Sequence, residues 1–302
     1  MKVSLVLGSG GARGYAHIGA IEELASRGHE IVAVAGSSIG ALMGGAYAAG
    51  KLDDLTKVAK RLTRTDVLML ARPSLTAPGL IKLDRVMHLL GRIIGDVRIE
   101  ELPMPFTAVA TDLFARREIW FHDGPLLAAI RASISIPTIF EPVMLDHRLL
   151  VDGGLVNPLP METSLRWDTD VTVAVSLLGR SHEREFGGAV EMSSDQMKES
   201  GRAGLGRLPE RLAEVLPSRA RSRTADGLFE PLPDDLGIAS MTTMTLDVMQ
   251  ERIQASRLAV NPPDVHVEIP ASAATTFDFN DAHRLIELGR KLAAERFDEV
   301  GL

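Results

Sequence analysis

Short apolar runs alternate with helix-like patterns along the first 180 residues of the chain. The apolar runs predict strands over residues 3–7, 31–35, 106–110, 119–121 and 171–177. Apolar residues spaced three and four apart predict helices over residues 16–27, 41–49, 52–62 and 126–131. Strands and helices that alternate in this way are typical of βαβ units. We therefore expect a three-layer α/β fold, with helices on both faces of a mostly parallel central sheet.

The pattern changes after residue 179. Residues 180–237 are rich in Gly, Ser, Arg and Glu and contain no readable strand, which is typical of a lid or a flexible insertion. Helical periodicity returns over residues 238–258, followed by a predicted strand over 265–269 and an amphipathic helix over 280–299 with Asn280 as its N-cap. We expect a main domain of residues 1–179, an insertion of residues 180–237, and a C-terminal portion of residues 238–302 that completes or covers the main domain.

Composition and charge exclude several classes of function. The 33 Lys and Arg residues against 40 Asp and Glu residues give a net charge of −7, which argues against nucleic-acid binding. The absence of cysteine excludes disulfides, thiolate metal sites and a thiol nucleophile. The first apolar run is too short for a signal peptide, and no run is long enough to span a bilayer. We expect a cytoplasmic protein, with peripheral membrane contact left open and no signal for an oligomeric state.

The strongest local motif follows the second predicted strand. Residues 36–40 read Gly-Ser-Ser-Ile-Gly and open a helix of small residues, which is the context of a G-x-S-x-G nucleophile elbow. Gly36 and Gly40 would allow a sharp turn, and Ser38 would stand at the carboxyl edge of the sheet, where a helix N-terminus favours negative charge. The alternative is an ordinary strand-to-helix turn with a serine cap.

A glycine-rich turn follows the first predicted strand. Residues 8–14 read Gly-Ser-Gly-Gly-Ala-Arg-Gly, with Gly8 and Gly14 at the ends. The spacing departs from a dinucleotide fingerprint, and the lysine of a phosphate-binding P-loop is missing. An oxyanion hole needs only converging amides, for which Gly10 and Gly11 are the candidates, with Arg13 adding charge or ordering the loop. A purely structural βα turn is the alternative.

A serine nucleophile needs a base, and a third motif offers one. Residues 151–154 read Val-Asp-Gly-Gly after the apolar pair Leu-Leu, so Asp152 ends an apolar strand and Gly153 and Gly154 follow it. None of the eight histidines has a comparable context: His17 is interpreted as a packing or capping residue, and His147 lies in a predicted hairpin turn. Burial would raise the pKa of Asp152 toward a useful range, so we favour this carboxylate over the histidines.

Together these motifs resemble the patatin-like phospholipase family, in particular its short bacterial members. Further similar blocks are Ala-Val-Ala-Thr-Asp-Leu at 108–113, Ile-Arg-Ala-Ser-Ile-Ser-Ile-Pro at 130–137 and the extended motif at 151–160. The resemblance covers roughly residues 3–178 and implies an architecture related to that of α/β-hydrolases. It also implies a Ser38–Asp152 dyad without histidine, an oxyanion loop at Gly10, Gly11 and Arg13, and no metal or cofactor. Ser9 departs from the glycine that many members carry.

The resemblance implies hydrolysis of fatty-acyl esters of lipids through an acyl-serine intermediate. Two alternatives stay open: a carboxylesterase of small soluble esters, and a catalytically silent regulatory protein that keeps the fold for binding. Two apolar stripes bear on lipid contact. One, within residues 205–216, precedes a basic cluster at 219–223 and would suit either an anionic membrane or a solvated insertion. The other comprises Met241, Met244, Val248, Met249 and Ile253 and would suit either an acyl-chain channel or a core-facing helix.

Overall fold

The computed structural model describes residues 1–73, 81–179 and 237–302 of the chain. Its centre is an eight-stranded sheet in the order β10-β9-β1-β2-β5-β8-β7, with β6 paired to β5. The strands are β1 (Lys2–Leu7), β2 (Glu30–Ser37), β5 (Phe106–Asp112), β6 (Arg117–Phe121), β7 (Val143–Leu145), β8 (Arg148–Asp152), β9 (Val171–Gly179) and β10 (Val265–Pro270). A separate two-stranded ribbon joins β3 (Arg72–Pro73) to β4 (Ile81–Lys82).

The described helices lie in the connections between these strands, except the last, which follows β10. They are α1 (Tyr15–Ser26), α2 (Ile39–Ala48), α3 (Leu52–Ala59), α4 (Arg64–Leu70), α5 (Asp84–Ile94), α6 (Leu126–Ser133), α7 (Ile238–Val260) and α8 (Ala282–Val300). Short 3-10 helices lie at Gly11–Gly14, Ile99–Glu101, Gly153–Leu155, Met161–Arg166 and Ala271–Ala273.

In the described residues, alternating side chains of the strands build one large core and two smaller clusters, one of them around Ala110, Ala132 and Leu150. Val3, Leu5 and Leu7 of β1 belong to the large core, which α1, α2, α6 and α8 cover. Val6 points to the opposite face and packs in a smaller cluster with Leu258 of α7. This alternation is the two-residue period of a strand whose two faces are both buried. The structure confirms the predicted α/β fold with a central sheet flanked by helices.

Strand direction changes at β5. The pairs β10–β9, β9–β1, β1–β2 and β2–β5 are parallel, whereas β5 pairs antiparallel with both β6 and β8, and β7 pairs antiparallel with β8. Asp146 and His147 connect β7 to β8, both with positive φ, as a tight hairpin turn requires. The predicted hairpin turn around His147 is therefore confirmed.

Two sequence-based assignments of the C-terminal region are wrong. Asn280 is not the N-cap of the last helix; Asp281 occupies that position, and its carboxylate accepts a hydrogen bond from Arg284 at 2.6 Å. The core-facing alternative for the stripe on α7 is wrong for Met241, Val248 and Met249, which are about half exposed, and the acyl-chain alternative stays a prediction. The helix turns Asp247 and other polar side chains toward the sheet instead. The predicted stripe within residues 205–216 lies outside the described residues.

None of the helices in the described ranges combines the length and the apolar character that crossing a bilayer requires.

Helix α8 packs closely against α1 through two glycines. A Cβ atom on Gly289 would lie 2.1 Å from the carbonyl oxygen of Ala16, and one on Gly19 would lie 2.0 Å from that of Ile286. The neighbouring atoms are backbone and cannot rotate away. The glycines therefore set the distance between the two helices.

We predict that Gly289→Ala lowers the free energy of unfolding by about 1–3 kcal/mol, the usual cost of overpacking a core. The matched control is Gly91→Ala in α5, where the new Cβ would meet only a leucine methyl at an ordinary 3.5 Å. That control should gain about 0.5–1 kcal/mol from helix propensity. Denaturant unfolding measures both values, and equal effects of the two substitutions would contradict the packing account.

Candidate active site

Ser38 stands in a strained turn between β2 and α2. Its backbone has φ 55° and ψ −125°, an unfavourable conformation for a residue with a side chain. Close approach explains the flanking glycines: a Cβ on Gly36 would lie 2.3 Å from the carbonyl of Gly40, and one on Gly40 would lie 2.2 Å from the carbonyl oxygen of Leu7. Ser38 is the N-cap of α2, yet its side chain makes no capping hydrogen bond. The hydroxyl is therefore available to another partner.

That partner is Asp152, whose position follows from the pairing of β5. Strand β6 occupies one edge of β5 along residues 108–112, so β2 and β8 share the other edge. They approach from opposite ends, Ser37 pairing with Val109 and Asp152 with the next residue, Ala110. The carboxyl ends of β2 and β8 thus meet. Ser38 Oγ donates a hydrogen bond to Asp152 Oδ2.

The carboxylate of Asp152 is buried and oriented. Only 3% of the residue is exposed, and its Oδ1 accepts a hydrogen bond from the backbone N–H of Gly154 at 2.7 Å. Gly153 fits against β5, where a Cβ would lie 2.1 Å from the carbonyl oxygen of Val109. The two glycines therefore turn the chain directly behind the carboxylate and leave one oxygen for Ser38.

Ser133 holds the backbone of the Ser38 turn in place, a role that the sequence did not indicate. Its Oγ accepts a hydrogen bond from the backbone N–H of Ser38 at 2.9 Å and donates to the carbonyl of Val109 at 2.6 Å. Asp152 is fixed in a similar way, its backbone N–H donating to the carbonyl of Ser135 and its own carbonyl accepting from Thr111. The available signal was the Ile-Arg-Ala-Ser-Ile-Ser-Ile-Pro block, which resembled the family without indicating these contacts.

The glycine loop lies beside the two side chains. The N–H groups of Gly8 and Ser9 donate to the carbonyls of Val175 and Pro158, and that of Ala12 donates to Thr276. Between them, the amides of Gly10 and Gly11 donate to no carbonyl of the described residues. Both glycines line one small cavity with Ser38 and Asp152. Two N–H groups without a backbone acceptor among the described residues therefore line the same cavity as Ser38.

The glycines of this loop are held against neighbouring segments. Gly11 has φ 58°, and a Cβ there would lie 2.5 Å from the carbonyl oxygen of Thr276. Gly10 leaves room for the side chain of Leu177 at a similar distance. Gly14 precedes α1 at the point where Ile39 of the elbow packs, so a side chain there would clash. The loop and the elbow are therefore one packed unit.

Arg13 orders the loop from inside the protein. The residue is 2% exposed, its Nε donates to the carbonyl of Gly10 at 2.9 Å, and its Nη1 donates to that of Ala271 at 3.0 Å. Its Nη2 lies 3.5 Å from the carboxylate of Asp247 on α7. Burial lowers the pKa of Arg13 and the Asp247 carboxylate raises it again. The guanidinium thus links the glycine loop to the covering helix.

Helix α7 closes the site. Thr243, Leu246, Asp247 and Gln250 line the cavity above Ser38, whose volume of about 30 Å³ holds little more than one water molecule. The far end of α7 is anchored by Arg257, which donates to Glu162 at 2.7 Å and to Glu118 at 3.3 Å. Ion pairs therefore hold the covering helix near its middle, at Asp247, and near its C-terminal end, at Arg257.

No histidine is among the residues that line this cavity in the described part of the chain. His17 is fully buried, and its Nε2 donates to the carbonyl of Gly8 at 2.9 Å. Burial lowers the pKa of His17 to about 4, so its imidazole is neutral. Across residues 1–73, 81–179 and 237–302, no three His, Asp or Glu side chains are grouped to hold a metal ion.

Burial also determines the charge state of Asp152. Loss of water raises its pKa from the ordinary 3.8 to about 7, although the hydrogen bonds from Ser38 and Gly154 oppose the shift. The carboxyl group therefore exchanges its proton near neutral pH. A group of this kind can accept a proton and return it within one reaction cycle.

A serine in a strained strand-to-helix turn, beside a glycine loop at the carboxyl edge of an α/β sheet, is the arrangement of a nucleophile elbow. The family model described as patatin-like phospholipase matches residues 5–165, and the chain belongs to this family.

An uncharacterized NTE family protein of Mycobacterium bovis is 38% identical over 331 aligned positions, which cover 98% of this chain and 91% of that protein. Patatin-like phospholipase domain-containing protein 6 of Mus musculus is 33% identical over 184 positions, which cover 58% of this chain and 13% of that protein. The solved structure of VipD from Legionella pneumophila aligns with a TM-score of 0.46 and 12% identity, over 99% of this chain and 67% of that chain.

The raised pKa of Asp152 predicts a pH-dependent stability. Between about pH 4 and 7 the folded state holds a proton that the unfolded state has lost, so stability falls as pH rises through this range. Asp152→Asn removes the ionisation, and its amide can still accept from Gly154 while donating to Ser38. We expect the variant to have a higher Tm than the wild type at pH 8 and nearly the same Tm at pH 4.

Thermal unfolding at the two pH values measures this difference. The exposed turn substitution Asp146→Asn serves as the control and should leave the wild-type profile unchanged. A Tm gain for Asp152→Asn that is equal at both pH values, or no gain at all, would contradict the burial account.

Proposed function

We propose that this protein is a serine acyl hydrolase that cleaves fatty-acyl ester bonds of lipids through an acyl-serine intermediate, as a phospholipase A or lysophospholipase does. The observation that carries the proposal is the direct hydrogen bond from Ser38 to the buried carboxylate of Asp152, in the cavity that Gly10 and Gly11 also line. Membership of the patatin-like phospholipase family supports lipid as the substrate class.

In the first half-reaction Asp152 accepts the proton of Ser38 while Ser38 Oγ attacks the ester carbonyl carbon. The oxyanion that forms is held by the amides of Gly10 and Gly11 and by the N-terminus of α2, which favours negative charge. When the carbonyl re-forms, the bond to the alcohol breaks. Asp152 returns its proton to the leaving alkoxide, and the acyl group remains on Ser38.

In the second half-reaction a water molecule replaces the alcohol. Asp152 accepts a proton from this water, whose oxygen attacks the acyl-serine carbonyl in the same oxyanion site. The bond between the acyl carbon and Ser38 Oγ then breaks, Ser38 regains the proton from Asp152, and the fatty acid leaves. A single carboxyl group with a pKa near neutrality serves both halves.

The walls of the cavity support a substrate with an apolar chain. Ile136, Ile139 and Leu246 of α7 line the cavity, whose volume of about 30 Å³ is too small for an acyl chain. We infer that α7 moves for the substrate to enter. In the described residues its ion pair with the glycine loop is the 3.5 Å contact between Asp247 and Arg13, which has to separate when the helix moves.

We predict that Ser38→Ala abolishes both hydrolysis of p-nitrophenyl esters and labelling by a fluorophosphonate probe, because the attacking oxygen is gone. Ser37→Ala is the matched control: its Oγ is buried and has no hydrogen-bond partner among the described residues, so its loss should leave the activity in place. Labelling that persists in Ser38→Ala would remove the nucleophile assignment. Activity that disappears equally in Ser37→Ala would point to a general loss of structure.

The same assay separates the proposed function from its alternatives. A lipid hydrolase should cleave p-nitrophenyl esters with greater kcat/KM as the acyl chain lengthens, because a longer chain gains more apolar contact. A preference for the shortest esters would favour a small-ester carboxylesterase. Absence of both hydrolysis and labelling in the wild type would favour a silent binding protein.

A further inference from the structure

The turn between β5 and β6 presents apolar side chains to solvent. Leu113 is 39% exposed and Phe114 is 67% exposed. The turn is nevertheless ordered, because the buried carboxylate of Asp112 accepts hydrogen bonds from the backbone N–H groups of Phe114 and Ala115 at 3.0 and 3.1 Å. Phe114 is therefore held outward by a fixed turn rather than by a loose loop.

Pairing with the next two strands extends this apolar surface. The N–H of Leu113 donates to the carbonyl of Leu149 on β8 at 2.9 Å, and Leu149 pairs with Met144 on β7. The β5–β8 register, which pairs Asp112 with Leu150, would place Leu113 opposite Leu149 if it continued into the turn, so Leu113, Leu149 and Met144 lie side by side at this end of the sheet. Met144 is 61% exposed. We call the four residues Leu113, Phe114, Met144 and Leu149 the apolar edge.

Exposed arginines lie at the same end of the sheet as the apolar edge. Arg116 lies in the β5–β6 turn, and Arg117 and Arg148 begin β6 and β8. By strand alternation Arg117 and Arg148 point to the sheet face opposite Leu149, and a surface that meets the end of the sheet contacts both faces. Within the described ranges none of the three forms an ion pair. Of the nearby acidic groups, Asp112 is buried in the turn, Glu118 binds Arg257, and Asp146 is exposed. The surface around the apolar edge therefore has a net positive charge.

The apolar edge lies close to the candidate active site. Leu149 precedes Asp152 by three residues of the same strand, about 10 Å along the strand, and its side chain points to the other face of the sheet. The apolar edge is on the sheet face that α7 covers. Glu118 pairs with Thr111, which shares a face with Leu113, and Glu118 binds Arg257 of α7. A surface that touches the apolar edge would also lie next to the helix that has to move.

We propose that the apolar edge docks this protein on an anionic lipid bilayer. Phe114, Leu113 and Met144 enter the interfacial region, while Arg116, Arg117 and Arg148 bind lipid phosphates. This proposal rests on the proposed function, because it states where the lipid substrate is met. It uses a surface separate from the basic segment at residues 219–223, which lies outside the described residues.

Charge favours a lipid surface over a second copy of the chain. In a two-fold dimer the same patch would face itself, so the arginines of one copy would oppose those of the other. An anionic bilayer instead supplies a continuous layer of negative charge beneath the apolar groups. Exposed apolar side chains and exposed arginines at one end of the sheet match the apolar interior and the charged surface of such a bilayer.

The test measures vesicle binding by cosedimentation with Ser38→Ala protein, so that no lipid is consumed. Vesicles contain either equal parts of phosphatidylglycerol and phosphatidylcholine or phosphatidylcholine alone. Replacing both Leu113 and Phe114 by Ser should weaken binding to the anionic vesicles by about tenfold or more. The control Leu165→Ser removes a similarly exposed side chain, 72% exposed, and should change nothing.

Charge is tested separately. Replacing Arg116 and Arg117 by Gln should weaken binding to the anionic vesicles by about tenfold and leave binding to phosphatidylcholine unchanged. Undiminished binding of the Leu113 and Phe114 variant, or an equal loss in Leu165→Ser, would overturn the proposal. So would a dimer in solution that the Phe114 substitution dissociates, because the apolar edge would then be a protein interface.

A second readout separates this proposal from the proposed function. With Ser38 intact, the Leu113 and Phe114 substitutions should leave hydrolysis of soluble p-nitrophenyl butyrate unchanged and reduce hydrolysis of vesicle lipid. Vesicle binding that depends on Phe114 in a protein without esterase activity would retain the docking surface and reject the hydrolase. Esterase activity with vesicle binding that ignores Phe114 would do the reverse.

Discussion

The contact between Ser38 and Asp152 exists because two strands meet end to end on one edge of β5. Strand β2 runs parallel to β5 and stops at Ser37, while β8 runs antiparallel and stops at Asp152. Each stops at a glycine-containing turn, so the two side chains emerge at the junction. Ser133 and Thr111 then fix the backbone on either side of it. Any change in the register of β8 would separate the pair.

The junction is buried, and burial raises the pKa of the Asp152 carboxyl group to about 7. A surface aspartate is too weak a base for a serine hydroxyl, whereas the pKa of an aspartate near 7 is closer to that of the histidine that many serine hydrolases use. The same burial makes the charged form costly to the folded protein. Helix α7 is part of this arrangement, because its side chains line the cavity that Asp152 also lines. A movement of α7 would admit the substrate and change the environment of the base together.

The sequence near a residue was sufficient to predict its position where the side chain is positioned by its own turn. Ser38 and Asp152 each follow an apolar strand and stand beside glycines, and the strands around them were predicted from apolar runs alone. Long-range contacts left no such signal. Nothing near Ser133 indicates that it binds the amide of Ser38, which is 95 residues away. The sequence around Asp247 does not distinguish it from other acidic residues on helices, and its pairing with the buried Arg13 is visible only in the structure. The orientation of the stripe on α7 was predicted wrongly for the same reason. The polar groups of the site that α7 covers determine which face of the helix turns inward.

The central claim is that Asp152, with a pKa raised by burial, is the base for Ser38. The most direct measurement is a ¹³C NMR titration of the aspartate carboxyl groups, compared with the pH dependence of fluorophosphonate labelling. The account predicts one carboxyl resonance that titrates with a midpoint of about 7, is absent in Asp152→Asn, and follows the same pH interval as the labelling rate. A titration of every aspartate near the ordinary value, or a labelling rate that follows a different midpoint, would contradict it.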